Sequence, residues 1–152
     1  MKGGDKMKKK GFTLIELLVV IAIIGLLSTL AVVALNSARE KARDAKRVAD
    51  IKQIQTALEL YYNDNTDTGY PVATGTLGSG DYGCLGTGGW EATGADCGSS
   101  PYMALVPTDP QASSNYAYES AGGEEYEITF VLEGTTGGLD AGTHVASEAG
   151  IE

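Results

Sequence analysis

No lysine or arginine occurs beyond Lys52 in this chain of 152 residues. Everything downstream is acidic without compensation, which excludes nucleic acid and anionic lipid as direct ligands of that portion, since both are held chiefly through Lys and Arg on phosphate. Histidine is equally scarce. His144 is the single one and lies in a Gly- and Thr-rich stretch, a poor base for a Ser-His-Asp or Cys-His centre. No Gly-x-Ser-x-Gly elbow, phosphate-binding loop or His-Glu-x-x-His is present, so the chain reads as a non-enzyme. Proline is absent before Pro71, and nothing of that kind breaks a helix earlier in the chain.

Cysteine is limited to Cys84 and Cys97. Their spacing is wrong for a Cys-x-x-Cys redox pair, and with one distant histidine they make a poor zinc site. They are read as a disulfide closing a loop of about 14 residues, worth about 3 kcal/mol on the chain-entropy model. Two free thiols in a reducing compartment are the alternative. The segment is crowded with Gly83, Gly86, Gly88, Gly89, Gly94 and Gly98, a loop that gains from a staple.

Against these scarcities stands one long apolar run, Phe12 to Leu35, whose single charge is Glu16. As a helix it would be roughly 36 Å long and can span a bilayer. A carboxylate just inside hydrocarbon costs about 2.5 to 3.5 kcal/mol by insertion scales, so Glu16 needs either the headgroup level, beside lysines, or a partner. Five of the 11 basic residues, Lys2, Lys6, Lys8, Lys9 and Lys10, precede the run with only Asp5 for company, leaving six basic against 19 acidic residues after Gly11, a net charge of −13. Arg39, Lys41, Arg43, Lys46 and Arg47 flank the run on its other side, so the positive-inside rule does not settle orientation. The cysteines favour an oxidising space for the distal portion.

The order Lys8-Lys9-Lys10-Gly11-Phe12-Thr13-Leu14-Ile15-Glu16-Leu17-Leu18 closely resembles the processing signal of type IV pilins and type II secretion pseudopilins. The likeness is dense from Lys8 to about Tyr62 and holds only in outline beyond. It implies that a prepilin peptidase on the cytoplasmic side cuts after Gly11, where a residue without a side chain lets the backbone enter a narrow site, and methylates the new N-terminus of Phe12. Residues 1–11 are then a leader, whether translation starts at Met1 or Met7, and are left out of fold reasoning. In the family, the glutamate at the place of Glu16 is thought to meet the N-terminal amine of a neighbouring subunit. Many members carry a proline late in the membrane helix; Val33 stands there in this chain, and Ser28 and Thr29 are left to bend the helix by bonding back to carbonyls.

Residues 12–35 are expected to form the membrane and filament-core helix, and residues 36–65 to continue it as an amphipathic rod. Apolar positions recur at Ala38, Ala42, Ala45, Val48, Ile51, Ile54, Leu58 and Tyr61. Glu40 with Arg43, Asp44 with Arg47, and Lys46 with Asp50 have the spacing of ion pairs on a solvated face. Residues 66–152 form an acidic globular domain, in which Gly69 to Gly98 is expected to lack regular structure and Pro101 to Leu105 to make a helical turn. Asn115 to Ser120 and Glu125 to Glu133 read as a hairpin, the second alternating Tyr126, Ile128, Phe130 and Leu132 against Glu127, Thr129 and Val131. The tail after Gly134 reads as loosely ordered, apart from a short strand near Val145.

The fold class is therefore α+β, a long N-terminal helix packed on a small antiparallel sheet, as in pilins. The resemblance implies a structural subunit of a type IV pilus-like homo-oligomeric filament serving adhesion, motility or DNA uptake. It would be held in the inner membrane and passed to a membrane assembly platform, then found in an extracellular pilus. The alternative is a type II secretion pseudopilin in a periplasmic pseudopilus. From a different class, a secreted binding protein would be cut after Ala34 or Ala38, but its signal-peptide core would run about 7 to 15 residues. No cofactor is expected. Calcium is left open because a loop holds it in major pseudopilins, but Glu124, Glu125, Glu127 and Asp109 match no defined calcium loop and no ligands are assigned.

Overall fold

The computed structural model describes residues 11–152. Lys2, Lys6, Lys8, Lys9 and Lys10, expected to belong to a leader, lie outside the described residues. The chain divides into two compact units, one ending at Ala38 and the other running from Arg39 to Glu152. A single helix, α1 (Leu14–Asp64), contributes to both.

In the first unit the helix is apolar on every side and its large side chains are exposed from Leu14 to Leu35. This is the only helix among the described residues long and apolar enough to cross a membrane. Such a surface, with no core of its own to cover, requires lipid or other helices. Ser28 Oγ donates to the Ile24 carbonyl at 2.7 Å and Thr29 Oγ1 to the Leu26 carbonyl at 2.8 Å, as expected of these residues in an apolar helix. The helix begins at Leu14, two positions later than the apolar run itself.

In the second unit the later part of α1 lies on a five-stranded antiparallel sheet ordered β1 (Ala73–Thr76), β4 (Ala117–Ser120), β5 (Glu127–Leu132), β6 (Gly142–Ser147) and β7 (Gly150–Ile151). Ile51, Ile54, Ala57, Leu58 and Tyr61 of α1 are buried, and so are Tyr116, Tyr118, Ile128, Phe130, Leu132 and Ala146 from the sheet side. Each such large side chain removed from water contributes about 1.5–3 kcal/mol. The alternation expected of the hairpin is present: Ile128, Phe130 and Leu132 point inward while Glu127 and Val131 face out. The register pairs Tyr118 with Ile128 and Phe130 with His144.

Three expectations are corrected. The stretch from Gly69 to Gly98 holds β1 together with a separate small ribbon, β2 (Cys84–Gly86) and β3 (Gly89–Glu91). Pro101 to Leu105 is not a helical turn, because Met103 exchanges two backbone hydrogen bonds with Leu85, at 2.9 and 3.1 Å, and so extends the ribbon. The strand expected near Val145 is present as β6, but the tail around it is not loose: β6 pairs along β5 over the whole stretch Gly142–Ser147 except its last residue, β7 pairs back on β6, and Ala146 is fully buried. Cys84 and Cys97 are joined by a disulfide that closes the loop after the ribbon.

At the far end of α1 the chain turns through Gly69, which has φ of +73° and lies so close to Gly123 that an added Cβ would stand 2.1 Å from its carbonyl oxygen. Tyr70 N donates to that same oxygen at 2.7 Å. The turn after the helix is thereby fastened to the tip of the β4–β5 hairpin.

Candidate assembly site

Thr13 and Glu16 form a closed local arrangement at the start of α1. The Glu16 carboxylate accepts from the Thr13 backbone N–H and from the Thr13 hydroxyl, both at 2.8 Å, while the Glu16 N–H donates to Thr13 Oγ1 at 3.2 Å. This is a capping box, in which threonine before the helix and glutamate at its third position satisfy each other's exposed donors. It explains why the helix begins at Leu14. It also gives the single charge of the apolar run a local partner. The spacing Thr13-x-x-Glu16 carries this signal in the sequence, where Glu16 was weighed only against lipid headgroups and a neighbouring amine. Gly11 and Phe12 precede the helix as non-helical chain, and the Phe12 side chain is exposed.

The charged residues between Arg39 and Lys52 are a solvated face only in part: Arg39, Lys41, Lys46 and Lys52 are exposed, while Asp44, Arg47 and Asp50 are buried. Arg47 is 1% exposed and its guanidinium makes contact on every side. It donates to Asp109 through Nε at 2.7 Å and Nη2 at 3.0 Å, to Asp44 through Nη1 at 2.7 Å, and to Glu133 through the same nitrogen at 2.6 Å. Gln111 Oε1 accepts from Nη2 at 3.2 Å. Arg43 is not paired with Glu40; its Nε donates to Glu133 at 2.7 Å. Of the sequence-level pairs, Asp44 with Arg47 and Lys46 with Asp50 form, the former fully buried.

Asp44 contributes a second function, accepting the backbone N–H groups of Glu133 at 3.0 Å and Gly134 at 2.8 Å. The cluster therefore ties α1 to the end of β5 and to the Pro107–Gln111 loop at once. The Arg43 and Arg47 guanidiniums hold the Glu133 carboxyl well below its ordinary range, at about 2. Arg47 is in turn held more firmly protonated, chiefly by its bonds to Asp109. Asp109, one of the acids weighed for calcium, is occupied by Arg47 and by the Gln111 N–H at 2.7 Å.

Among the buried positions of α1, Asp44, Arg47, Ile51, Ile54, Leu58 and Tyr61 follow one another at a spacing of three and four, with Asp50 and Ala57 beside them, and the stripe continues without a break from apolar to charged residues. Ala38, Ala42 and Ala45, expected on the buried stripe, are exposed. The phase of the helix thus pointed at Asp44 and Arg47, and their polarity concealed it.

Comparison with known proteins bears on both units. Residues 6–32 match the prokaryotic N-terminal methylation motif. Residues 34–148 match the family described as type II secretion system (T2SS), protein G. The chain belongs to the type II secretion system protein G family. The core protein G of Vibrio cholerae is 32% identical over 145 residues, covering 93% of this chain and 94% of that one. The core protein G of Escherichia coli K12 is 48% identical over 58 residues, which are 38% of this chain and 40% of the relative's length. The type IV major fimbrial protein FimA of Dichelobacter nodosus is 41% identical over 80 residues, 51% of this chain and 49% of that one. No solved structure matches.

Proposed function

We propose that this protein G family member is a structural subunit of a type IV pilus-like helical filament, held in the membrane by Leu14 to Leu35 and assembled after its leader is removed. The observation that carries this reading is an exposed, wholly apolar helix whose one charge, Glu16, is satisfied by Thr13 at its very start. Such a helix is stable in lipid as a single subunit and equally suited to the core of a bundle of identical helices. The acidic second unit remains outside. Of the two filament types, the match across nearly the whole length of the Vibrio cholerae relative favours a secretion pseudopilus in the periplasm. The likeness to FimA favours a surface pilus.

In this reading a prepilin peptidase cuts after Gly11 and methylates Phe12, and the freed amine of Phe12 pairs with Glu16 of a neighbouring copy. An uncompensated charge in lipid is costly, and an ion pair across subunits relieves both members only when axial register brings amine and carboxylate together, so Glu16 specifies register more than it adds strength. Mass spectrometry of the mature N-terminus, with electron microscopy of sheared surface and periplasmic material, tests the scheme. Methylated Phe12 at the N-terminus and fibres in the sheared fraction are expected, and Glu16→Ala is expected to reach the membrane normally but to leave fibres severely depleted. A mature chain that begins with methionine, or abundant fibres from Glu16→Ala, would refute it.

A further inference from the structure

Aromatic side chains gather where the end of α1 meets the β2–β3 ribbon. Tyr61 from the helix, Tyr70 and Pro71 from the turn after it, Asp81 and Tyr82 from the segment before β2, and Trp90 of β3 line a cavity of about 260 Å³ that lies wholly within the second unit. A space of that size takes one compact group rather than a chain. Its walls are held from behind. Tyr70 Oη donates to the Glu59 carboxylate at 2.8 Å, and Tyr118 Oη donates to the Pro71 carbonyl at 2.8 Å. Tyr82 lies over β1 at Gly75, where an added Cβ would stand 2.2 Å from its ring, and its ring centroid is 6.1 Å from that of Trp90. Trp90 in turn meets Tyr118 edge-on at 5.1 Å. Side chains already fixed in this way lose little freedom when the space between them is filled.

The polar groups of the cavity narrow the choice of occupant. Gly89 has φ of +105°, and a Cβ there would stand 3.6 Å from Pro71 Cβ and 4.0 Å from the Tyr61 hydroxyl, so the glycine leaves that hydroxyl uncovered. Tyr61 is 7% exposed, yet its hydroxyl has no hydrogen-bond partner among the described residues. Asp81 is the only charged residue of the lining, is exposed, and forms no ion pair among the described residues. An anion would meet this carboxylate with no lysine or arginine to hold it, since none lines the cavity and none follows Lys52 in the chain. An uncharged apolar group would cover the carboxylate and the Tyr61 hydroxyl without replacing the water they give up. A cation satisfies all three components at once: ring faces carry negative charge in their quadrupole, the hydroxyl oxygen accepts, and the carboxylate neutralises.

We infer that the cavity bounded by Tyr61, Tyr70, Tyr82 and Trp90 binds an organic ammonium group, with Asp81 as its counter-ion. Alkyl ammonium is the fitting chemistry because its apolar carbons suit aromatic walls while its charge is drawn to their faces, a combination that a strongly hydrated inorganic ion lacks. The same head group is carried by a free quaternary ammonium compound and by the lysine side chain of a protein. The site belongs to the second unit alone and stands apart from the assembly of the helix.

Trp90 is both a wall of the cavity and the only tryptophan, so its emission reports occupancy directly. The full chain in nonionic detergent is titrated at fixed ionic strength with choline, with Nα-acetyl-lysinamide, and with 3,3-dimethyl-1-butanol, which has the shape of choline without its charge. A saturable change is expected with the cations, and binding of the uncharged alcohol is expected to be about tenfold weaker than that of choline. Tighter binding of choline assigns the site to free quaternary ammonium, and tighter binding of the lysine amide assigns it to a protein side chain. Asp81→Asn, an exposed substitution that leaves the walls intact, should weaken the cation about fivefold and leave the alcohol unchanged. Tyr82→Leu should weaken the cation about threefold or more by removing one ring face. No saturable response to either cation, or equal binding of choline and the alcohol, overturns the inference. So does binding of the cations to Asp81→Asn with the affinity of the parent, which would place them elsewhere on the acidic surface.

Discussion

Replacement of Arg47 by methionine is the most informative single perturbation of the second unit. The substitution keeps an unbranched side chain of comparable reach, so the space is filled and the loss is one of charge and hydrogen bonding. Arg47 is 1% exposed, and the side chains it bonds at Asp44 and Asp109 are 1% and 0% exposed. Methionine would leave two buried carboxylates without their cation. Breaking a buried pair by removing one member costs about 3–5 kcal/mol, because the surviving charge has neither water nor a counter-ion. Against a whole-domain stability of about 5–15 kcal/mol, this is a large fraction. Urea unfolding of the full chain in nonionic detergent, followed by fluorescence of Trp90, reads the loss, since Trp90 is the only tryptophan and its ring lies 5.1 Å from that of Tyr118 in the core. A second substitution separates charge from packing. Asp109→Asn should destabilise the parent by removing half of the pair, yet stabilise Arg47→Met by about 1 kcal/mol or more by removing an uncompensated charge. A loss below about 1 kcal/mol in Arg47→Met, or the same sign for Asp109→Asn in both backgrounds, would refute the reasoning.

Glu133 makes the same cluster acid-sensitive: a carboxyl held at about 2 when folded contributes stability that is complete above pH 4.5 and is lost as pH falls toward 2, about 1 kcal/mol once solvent screening is allowed for. Glu133→Gln should flatten that part of the stability profile measured by urea midpoints from pH 7 to pH 2. Cys84→Ser or Cys97→Ser should cost about 2–4 kcal/mol, read by the same midpoints, and dithiothreitol should destabilise the parent while leaving either variant unchanged. Gly69→Ala should cost about 2 kcal/mol or more, because it sets a side chain both at a positive φ and into the Gly123 carbonyl; a thermal melt within a degree of the parent would count against the tight turn.

The long helix and the β4–β5 hairpin were legible in the sequence because each rests on a sustained pattern, an unbroken apolar run in the first case and alternation through Tyr126, Ile128, Phe130 and Leu132 in the second. Elements without such a pattern were missed. β1, β2 and β3 are three or four residues each and rich in Gly and Thr, so their identity depends on pairing partners distant in the chain. The strand expected near Val145 is present as β6, but its full length was not legible, because it contributes little but Ala146 to the core and owes its order to its ladder with β5. Arg47 escaped for a different reason. Its position was given by counting back from Ile51 and Ile54, but a rule that places charge outside could not assign the innermost position to an arginine whose partners Asp109 and Glu133 lie 62 and 86 residues away. The Glu16 cap needed only the neighbouring threonine, and the apolar run drew attention past it.

The cap changes how the start of the helix must operate if cleavage follows Gly11. The Glu16 carboxylate is not an idle charge awaiting a counter-ion, because two donors of Thr13 already occupy one of its oxygens. That leaves the other oxygen for an incoming amine. The amine released at Phe12 is one residue from Thr13, so each subunit presents its own cation beside its own cap, and a neighbour's amine must compete with it. Under the proposed pairing, register in the stack would be decided by a difference between two pairings of the same groups rather than by the gain from one. Thr13 is part of that difference. In the proposed filament, strengthening or removing the hydroxyl would shift the balance without touching either charge, and Thr13 would then act with Glu16 in setting where one copy stops against the next.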